Sequence, residues 1–229
     1  DASHRTTMLA IQGPRTLDPL SPLTDIDLSE IPYYHFARSK LAGVVGIVSR
    51  TGYTGEDGFE FYFDRNESEP VWNTILNAGK AYGIMPVGLG ARNTLRLEAK
   101  MLLYGHDMDE TTTLFEAGLG WIAKLEKGAF VGRDALLHQK GVGLGRKLVG
   151  FEILGRDIAR DQYRALIGGK VVGYVTSGSP SITLKKNIGL AYLPIGHTQF
   201  GTRFEIRVRK RLCEALVVKT PFYKRRLSV

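Results

Sequence analysis

The chain has 229 residues, 43% of them hydrophobic and 24% charged, with a formal net charge of +8. Such values describe a globular chain of one large or two small domains and exclude wholesale disorder. No apolar run approaches the roughly 20 residues of a membrane helix, no signal peptide or lipidation motif is visible, and a single cysteine, Cys213, excludes an internal disulfide or a Cys-rich zinc site.

Residues 6–12 (TTMLAIQ) read as a strand entering the Gly13-Pro14 turn. Two β-rich runs, 43–50 (GVVGIVSR) and 58–63 (GFEFYF), flank the Gly-rich TGYTGEDG, which reads as a hairpin connection or a ligand loop. A helix is predicted over 69–81, with Pro70 in its first turn, Gly83 beyond its end, and Val71, Trp72, Ile75 and Leu76 on one face. A second helix is predicted over 88–99, where Arg92 and Arg96, four apart, share a face. Residues 116–125 read as a strand and 132–139 as a short helix near whose start Asp134 is expected to cap. After the Gly-rich 141–145, short β runs alternate with turns: KLVGFEIL, ALIGG, KVVGYVTSG, IGLAYL, FEIRVR and ALVVK. That spacing predicts a small sandwich or barrel. The charge sits mainly at the end, where residues 203–229 hold nine basic side chains against Glu205 and Glu214, a net +7. Such an end suits an anionic small molecule, an acidic protein or nucleic acid, although Phe204, Phe222 and Tyr223 do not make a stacking platform for nucleic acid.

In Ser49–Glu60 three glycines allow close backbone approach, Tyr53 offers a flat face and a hydroxyl, and Glu56, Asp57 and Glu60 offer carboxylates. A carboxylate can accept two parallel hydrogen bonds from adjacent N–H donors, which a 2-aminopyrimidinone edge presents. The residues alone leave open which of the three acids would do so, and an ordinary acidic hairpin turn is the competing reading. The stretch lacks the spacing of a phosphate-binding P-loop. Arg92 and Arg96 form a candidate clamp for a carboxylate or carbonyl. His106, Asp107, Asp109 and Glu110 match no metal-ligand spacing and read as a polar loop.

Taken together, SRTGYTGEDGFE, GLGARNTLRLEA (88–99), YGHDMDETTT and EAGLGW resemble the T-protein family of the glycine cleavage system, the tetrahydrofolate-dependent aminomethyltransferases. LAIQGP (9–14), KGAFVGRDAL (127–136) and SGSPSITLKKNIGLAYL (177–193) extend the resemblance over nearly the whole chain. It implies an α+β fold, the folate-binding T-protein cloverleaf, with incomplete Greek-key and ferredoxin-like units in residues 1–144 and a C-terminal β-barrel domain in 145–229. It implies transfer of a one-carbon unit from the aminomethyl-lipoyl arm of the H-protein to tetrahydrofolate, with release of ammonia and formation of 5,10-methylenetetrahydrofolate. The partners are then the lipoylated H-protein and tetrahydrofolate, not a membrane or nucleic acid, in bacterial cytoplasm or mitochondrial matrix.

Carried over by motif, the family's folate contacts fall on Tyr53, Glu60 and Arg92, with Tyr33 as an upstream aromatic contact and Arg225 of PFYKR as the C-terminal basic residue. Two positions depart from the family pattern: Asn93 stands for its aspartate beside Arg92, and Leu114 for a common proline, which is expected to loosen that loop. The family's catalytic aspartate belongs to an N-terminal third with no counterpart here, so no catalytic residue is assigned. A truncated, non-catalytic binder of folate or H-protein is the alternative, and missing strands would leave open sheet edges and apolar surface. Ala129 of KGAFVG argues against the related iron–sulfur maintenance proteins, which carry cysteine there. The absence of a flavin fingerprint separates the chain from intact dimethylglycine or sarcosine dehydrogenases.

Overall fold

A computed structural model describes residues 1–225 as two compact units. The first comprises Asp1–Asn93 with Arg225, the second Thr94–Lys224. Among the described residues no helix is long and apolar enough to cross a membrane.

The first unit is built on an antiparallel sheet of β1 (Thr6–Gln12), β2 (Phe36–Leu41), β3 (Val44–Ser49) and β4 (Gly58–Asp64), in the order β1-β4-β3-β2. Alternation along β4 explains its two faces. Phe59, Phe61 and Phe63 point inward, while Glu60 and Tyr62 stand on the other face. The inward phenylalanines join Ile11, Val48 and Leu41 in one core, each fully buried ring contributing about 1.5–3 kcal/mol. A short helix α1 (Leu17–Leu20) adds Leu20 to that core, and α2 (Ser68–Gly79) adds Val71 and Ile75. The helix predicted over 69–81 is therefore present, and Gly83 ends its final 3-10 turn in the left-handed region, φ 76°. Its predicted apolar face is narrower than expected: Trp72 is exposed. Edge strand β2 was not predicted, because FARSKL carries charges at Arg38 and Lys40 that blunt an edge rather than mark a core strand.

Helix α3 (Leu89–Glu98) fills the second predicted helical window. It ends in a Schellman turn, with the Lys100 N–H donating to the Leu97 carbonyl at 2.9 Å and the Met101 N–H to the Arg96 carbonyl at 2.8 Å. The strand expected over 116–125 does not exist. Helical-type bonds from Ala117 N–H to Thr113 and from Leu119 N–H to Leu114 coil this stretch, and a 3-10 turn follows at Gly120–Ile122. The apolar residues that suggested a strand stay outside, Trp121 at 68% exposure. The Leu114 segment is also pinned by Glu116, which accepts from the Thr113 N–H at 2.9 Å. Helix α4 (Arg133–Val142) is longer than predicted, and its N-cap is Gly132 rather than Asp134. Asp134 lies in the first turn, where its charge favours the helix N-terminus.

The predicted barrel is present. β5 (Arg146–Ile153), β6 (Arg164–Ile167), β7 (Lys170–Ser181), β8 (Lys186–Pro194), β9 (Arg203–Val208) and β10 (Arg211–Val218) close in the order β10-β5-β8-β7-β6-β9. Closure leaves no free edge. Its interior holds Phe151, Val175, Leu193, Phe204, Ile206 and Val217, with the Phe151 and Phe204 rings edge to face at 5.7 Å. The strand β8 is buried on both faces, since Leu97 of α3 packs with Ile188, Leu190 and Tyr192 outside the barrel. IGLAYL therefore reads as a continuous apolar run rather than an alternation.

Candidate functional site

The Gly-rich loop between β3 and β4 is held from the end of β1. The Gln12 side chain donates through Nε2 to the Thr51 carbonyl at 3.0 Å and the Phe59 carbonyl at 3.3 Å, and its Oε1 accepts from Thr54 Oγ1 at 3.4 Å. Gly52 and Gly58 both press on this amide, and a Cβ on either would overlap it. Gly55 supplies the left-handed turn between them, φ 81°. The glycines thus serve the loop's own packing, and Gln12 is the residue that sequence reasoning did not single out.

Glu60 leaves β4 on the sheet face opposite the phenylalanine core, paired in register with Ala10 and Ser49. Its Oε2 accepts from Thr51 Oγ1 at 2.6 Å and from the Tyr62 hydroxyl at 3.1 Å. Oε1 has no partner among the described residues. Burial first, and then the Glu60 charge, raise the pKa of Tyr62, which therefore stays protonated and donating. The same face carries the exposed Met8, Phe36 and Val45 together with Arg38 and Lys40 of β2, a mixed apolar and basic surface around a carboxylate with an open acceptor. Thr51 and Tyr62 are further additions; Tyr62 was legible in principle, two residues from Glu60 and therefore on its face.

Tyr53 lies beneath a cation. The Arg92 guanidinium carbon sits 4.4 Å from the ring centroid. Two of the residues expected at a site are thereby brought together. A second pair is Tyr33 and Arg225, with the Arg225 guanidinium carbon 5.1 Å from the Tyr33 ring centroid. Arg225 also reaches Asp57 at 3.6 Å. Asp57 is already held by a two-pronged bond from Arg50, at 3.1 and 2.7 Å, and Arg50 in turn donates to the Ser29 and Ile31 carbonyls. Arg50 holds the Asp57 carboxyl below its ordinary pKa, with Arg225 a smaller contributor. Burial, followed by Tyr34, pushes the Tyr33 phenol up. Of the three loop acids, Asp57 is thus occupied by arginine, whereas Glu60 keeps a free oxygen.

Arg96 does not join Arg92 in a clamp. Its side chain bonds Asp107 at 2.5 Å and Ser177 Oγ at 2.8 Å, and both charged side chains are buried, at 3% and 0% exposure. Asp107 also accepts from Thr176, Ser177 and the Leu103 N–H, so the pair is fully hydrogen-bonded. Two residues on, buried Glu98 accepts from Ser181 at 2.6 Å and Thr183 Oγ1 at 2.8 Å. The YGHDMDE loop is split among separate tasks: His106 bonds Asp161 at 3.1 Å, Asp107 takes Arg96, and Asp109 caps Thr111. Among the described residues no three His, Cys, Asp or Glu side chains converge as a metal site. Cys213 is buried, and burial followed by Asp157 pushes its thiol up to about 11, an inert protonated group. Part of the basic C-terminal charge is neutralised, Arg203 by Glu214 and Arg211 by Asp157; Arg226 lies outside the described residues.

Comparison with known proteins covers nearly the whole chain. Residues 1–127 match the GCVT N-terminal domain and residues 146–224 the glycine cleavage T-protein C-terminal barrel domain. An aminomethyltransferase of Caldanaerobacter subterraneus is 49% identical over 226 residues, covering 98% of this chain and 60% of that protein. One from Moorella thermoacetica is 48% identical over 223 residues, covering 97% and 61%. The crystal structure of glycine cleavage system aminomethyltransferase T from Bartonella henselae superposes with a TM-score of 0.88 at 28% identity, over 96% of this chain and 60% of that one. The chain thus spans about 60% of the length of the relatives it matches.

Proposed function

The chain belongs to the glycine cleavage T-protein family, and from that premise we propose that it is part of an aminomethyltransferase whose tetrahydrofolate contacts lie in its first unit. Residues 1–144 form the folate-binding portion in this reading and residues 145–229 the barrel domain, and the boundary falls in the stretch between the two family matches, which end at 127 and begin at 146. The observation that carries the proposal is Glu60: a carboxylate on an open sheet face, oriented by Thr51 and Tyr62 through one oxygen while the other has no partner among the described residues.

The residues fit the ligand. A pterin presents adjacent N–H donors along its 2-aminopyrimidinone edge, and Oε1 is ready to accept from one of them. Oε2 already accepts twice, so a two-pronged contact requires the Thr51 or Tyr62 hydroxyl to swing aside. Tyr53, with Arg92 over its ring, supplies a flat face and a fixed positive charge beside it. Arg225 and Tyr33 supply a second aromatic–cation pair, suited to the anionic tail of the folate. Tetrahydrofolate supplies the acceptor amines of the one-carbon unit. The residues described here bind and orient it, and none of them is assigned as acid or base. The donor in this reading is the aminomethyl-lipoyl group of the H-protein, the products are ammonia and 5,10-methylenetetrahydrofolate, and the setting is the bacterial cytoplasm, as suits the organisms of the relatives.

Calorimetric titration of the chain with tetrahydrofolate, beside Glu60→Ala, tests the proposal. Saturable binding that the substitution abolishes supports it; the absence of binding by a folded sample contradicts it. A methylene-transfer assay with lipoylated H-protein then separates a transferase from a binder without turnover.

A further inference from the structure

Three hydrogen bonds leave the Gln12 amide, and each lands beside a residue of the candidate site. Nε2 donates to the Thr51 carbonyl at 3.0 Å, and the Thr51 hydroxyl in turn donates to Glu60 Oε2 at 2.6 Å. Nε2 donates also to the Phe59 carbonyl at 3.3 Å, in the peptide unit that leads into Glu60. Oε1 accepts from Thr54 Oγ1 at 3.4 Å, the weakest of the three, next in sequence to Tyr53.

The amide fits only this way round. Two carbonyl oxygens face one end of it, and a carbonyl cannot donate, so that end is the NH2 group. Gly52 and Gly58 lie against the amide, where a Cβ on either would overlap it. Gly58 is also the β4 partner of Gln12 in the sheet register. The next backbone group, the Gly13 N–H, donates to the Asp57 carbonyl at 2.8 Å. The end of β1 therefore ties down residues 51, 54, 57 and 59, and a single side chain makes three of the four attachments.

We propose that Gln12 is a positioning residue for ligand binding, setting the Glu60 carboxylate and the Tyr53 ring together. It acts through Thr51, Phe59 and Thr54 rather than by contact with the ligand, and the proposal rests on the folate reading of this site.

Replacement by side chains of similar length is the test. In Gln12→Glu a carboxylate oxygen faces two carbonyl oxygens, and only the protonated acid can donate to one of them. That setting raises the introduced carboxyl above its ordinary pKa of about 4.3. Gln12→Met occupies similar space and makes none of the three bonds. Tetrahydrofolate is titrated into the whole chain and both variants at pH 8 and pH 5, each sample shown to be folded by thermal melt. Gln12→Met is expected to bind roughly tenfold more weakly than the parent chain at both pH values. Gln12→Glu is expected to be at least as weak at pH 8 and to recover most of that loss, relative to the parent chain, at pH 5. Parent-like affinity of either variant at pH 8, or a loss in Gln12→Glu that is the same at both pH values, overturns the proposal. Hydrogen exchange over residues 51–60 of the unliganded chain gives a readout that needs no folate. Protection there is expected to fall in Gln12→Met and to return in Gln12→Glu at pH 5. A parent chain that binds no tetrahydrofolate contradicts the folate reading; loop protection that follows Gln12 still supports the positioning role, and protection unchanged in Gln12→Met overturns it.

Discussion

Arg96 and Asp107 meet at 2.5 Å in the interior of the second unit, while Arg92, one turn earlier on the same helix, lies over Tyr53. Two arginines four residues apart therefore do different work, one structural and one at the candidate site. Removing one partner of a buried, hydrogen-bonded pair leaves the other charge without compensation, at about 3–5 kcal/mol. Asp107→Ala is expected to destabilise the chain by that order in urea or thermal unfolding. A change below about 1 kcal/mol would show that water takes over the aspartate's role.

Arg92→Met is expected to leave the unfolding midpoint close to that of the parent chain. Its effect falls on ligand binding, where losing one charge-assisted contact weakens tetrahydrofolate by roughly tenfold or more. Titration and a melt on the same sample check both halves. An intact affinity would remove Arg92 from the site.

The loop glycines make a separate prediction. Gly58→Ala places a methyl against the Gln12 amide, and overpacking of this kind costs about 1–3 kcal/mol. Gln12→Ala clears the space but releases the Thr51 and Phe59 carbonyls. The double variant is expected to be more stable than the sum of the two changes implies. Strict additivity would mean that the two positions do not press on each other.

Acid weakens the Arg50–Asp57 pair. The Asp57 pKa is depressed in the folded chain, chiefly by Arg50, against about 3.9 when unfolded. The pair's contribution is complete above the unfolded value and is lost as pH falls through the lower folded value. Urea midpoints from neutral pH down to pH 2, compared with Arg50→Met, are expected to converge at the acid end. A constant gap between the two curves would place the effect of Arg50 in its carbonyl and Phe59 contacts instead.

Elements with a clean period were legible in the sequence. GFEFYF announced a strand with one aromatic face, and the same alternation put Glu60 and Tyr62 on the other. The barrel runs were equally plain, because short apolar stretches bounded by glycine have few other folds. Residues 116–125 misled because Leu119, Trp121 and Ile122 carry strand propensity, whereas local bonds from Ala117 and Leu119 set the conformation. Propensity does not reveal which backbone group will find which partner. Arg92 and Arg96 were indistinguishable for a similar reason: what separates them is Asp107, a loop residue whose place depends on tertiary packing. Gln12 gave no local signal, since its meaning rests on two glycines that adjoin it only in the folded sheet. Family motifs pointed to Tyr53, Glu60, Arg92, Tyr33 and Arg225, and the geometry added Thr51, Tyr62 and the Arg50–Asp57 clamp around them.

The central claim is that Glu60 reads the 2-aminopyrimidinone edge of a folate. The most direct measurement is a cycle pairing protein with ligand: the parent chain and Glu60→Gln, each titrated with tetrahydrofolate and with its analogue lacking the 2-amino group. The account predicts that each change alone weakens binding and that the two together cost little more than one, because both remove the same hydrogen bond. Independent, additive losses, or equal affinities of the parent chain and Glu60→Gln for tetrahydrofolate, would contradict it.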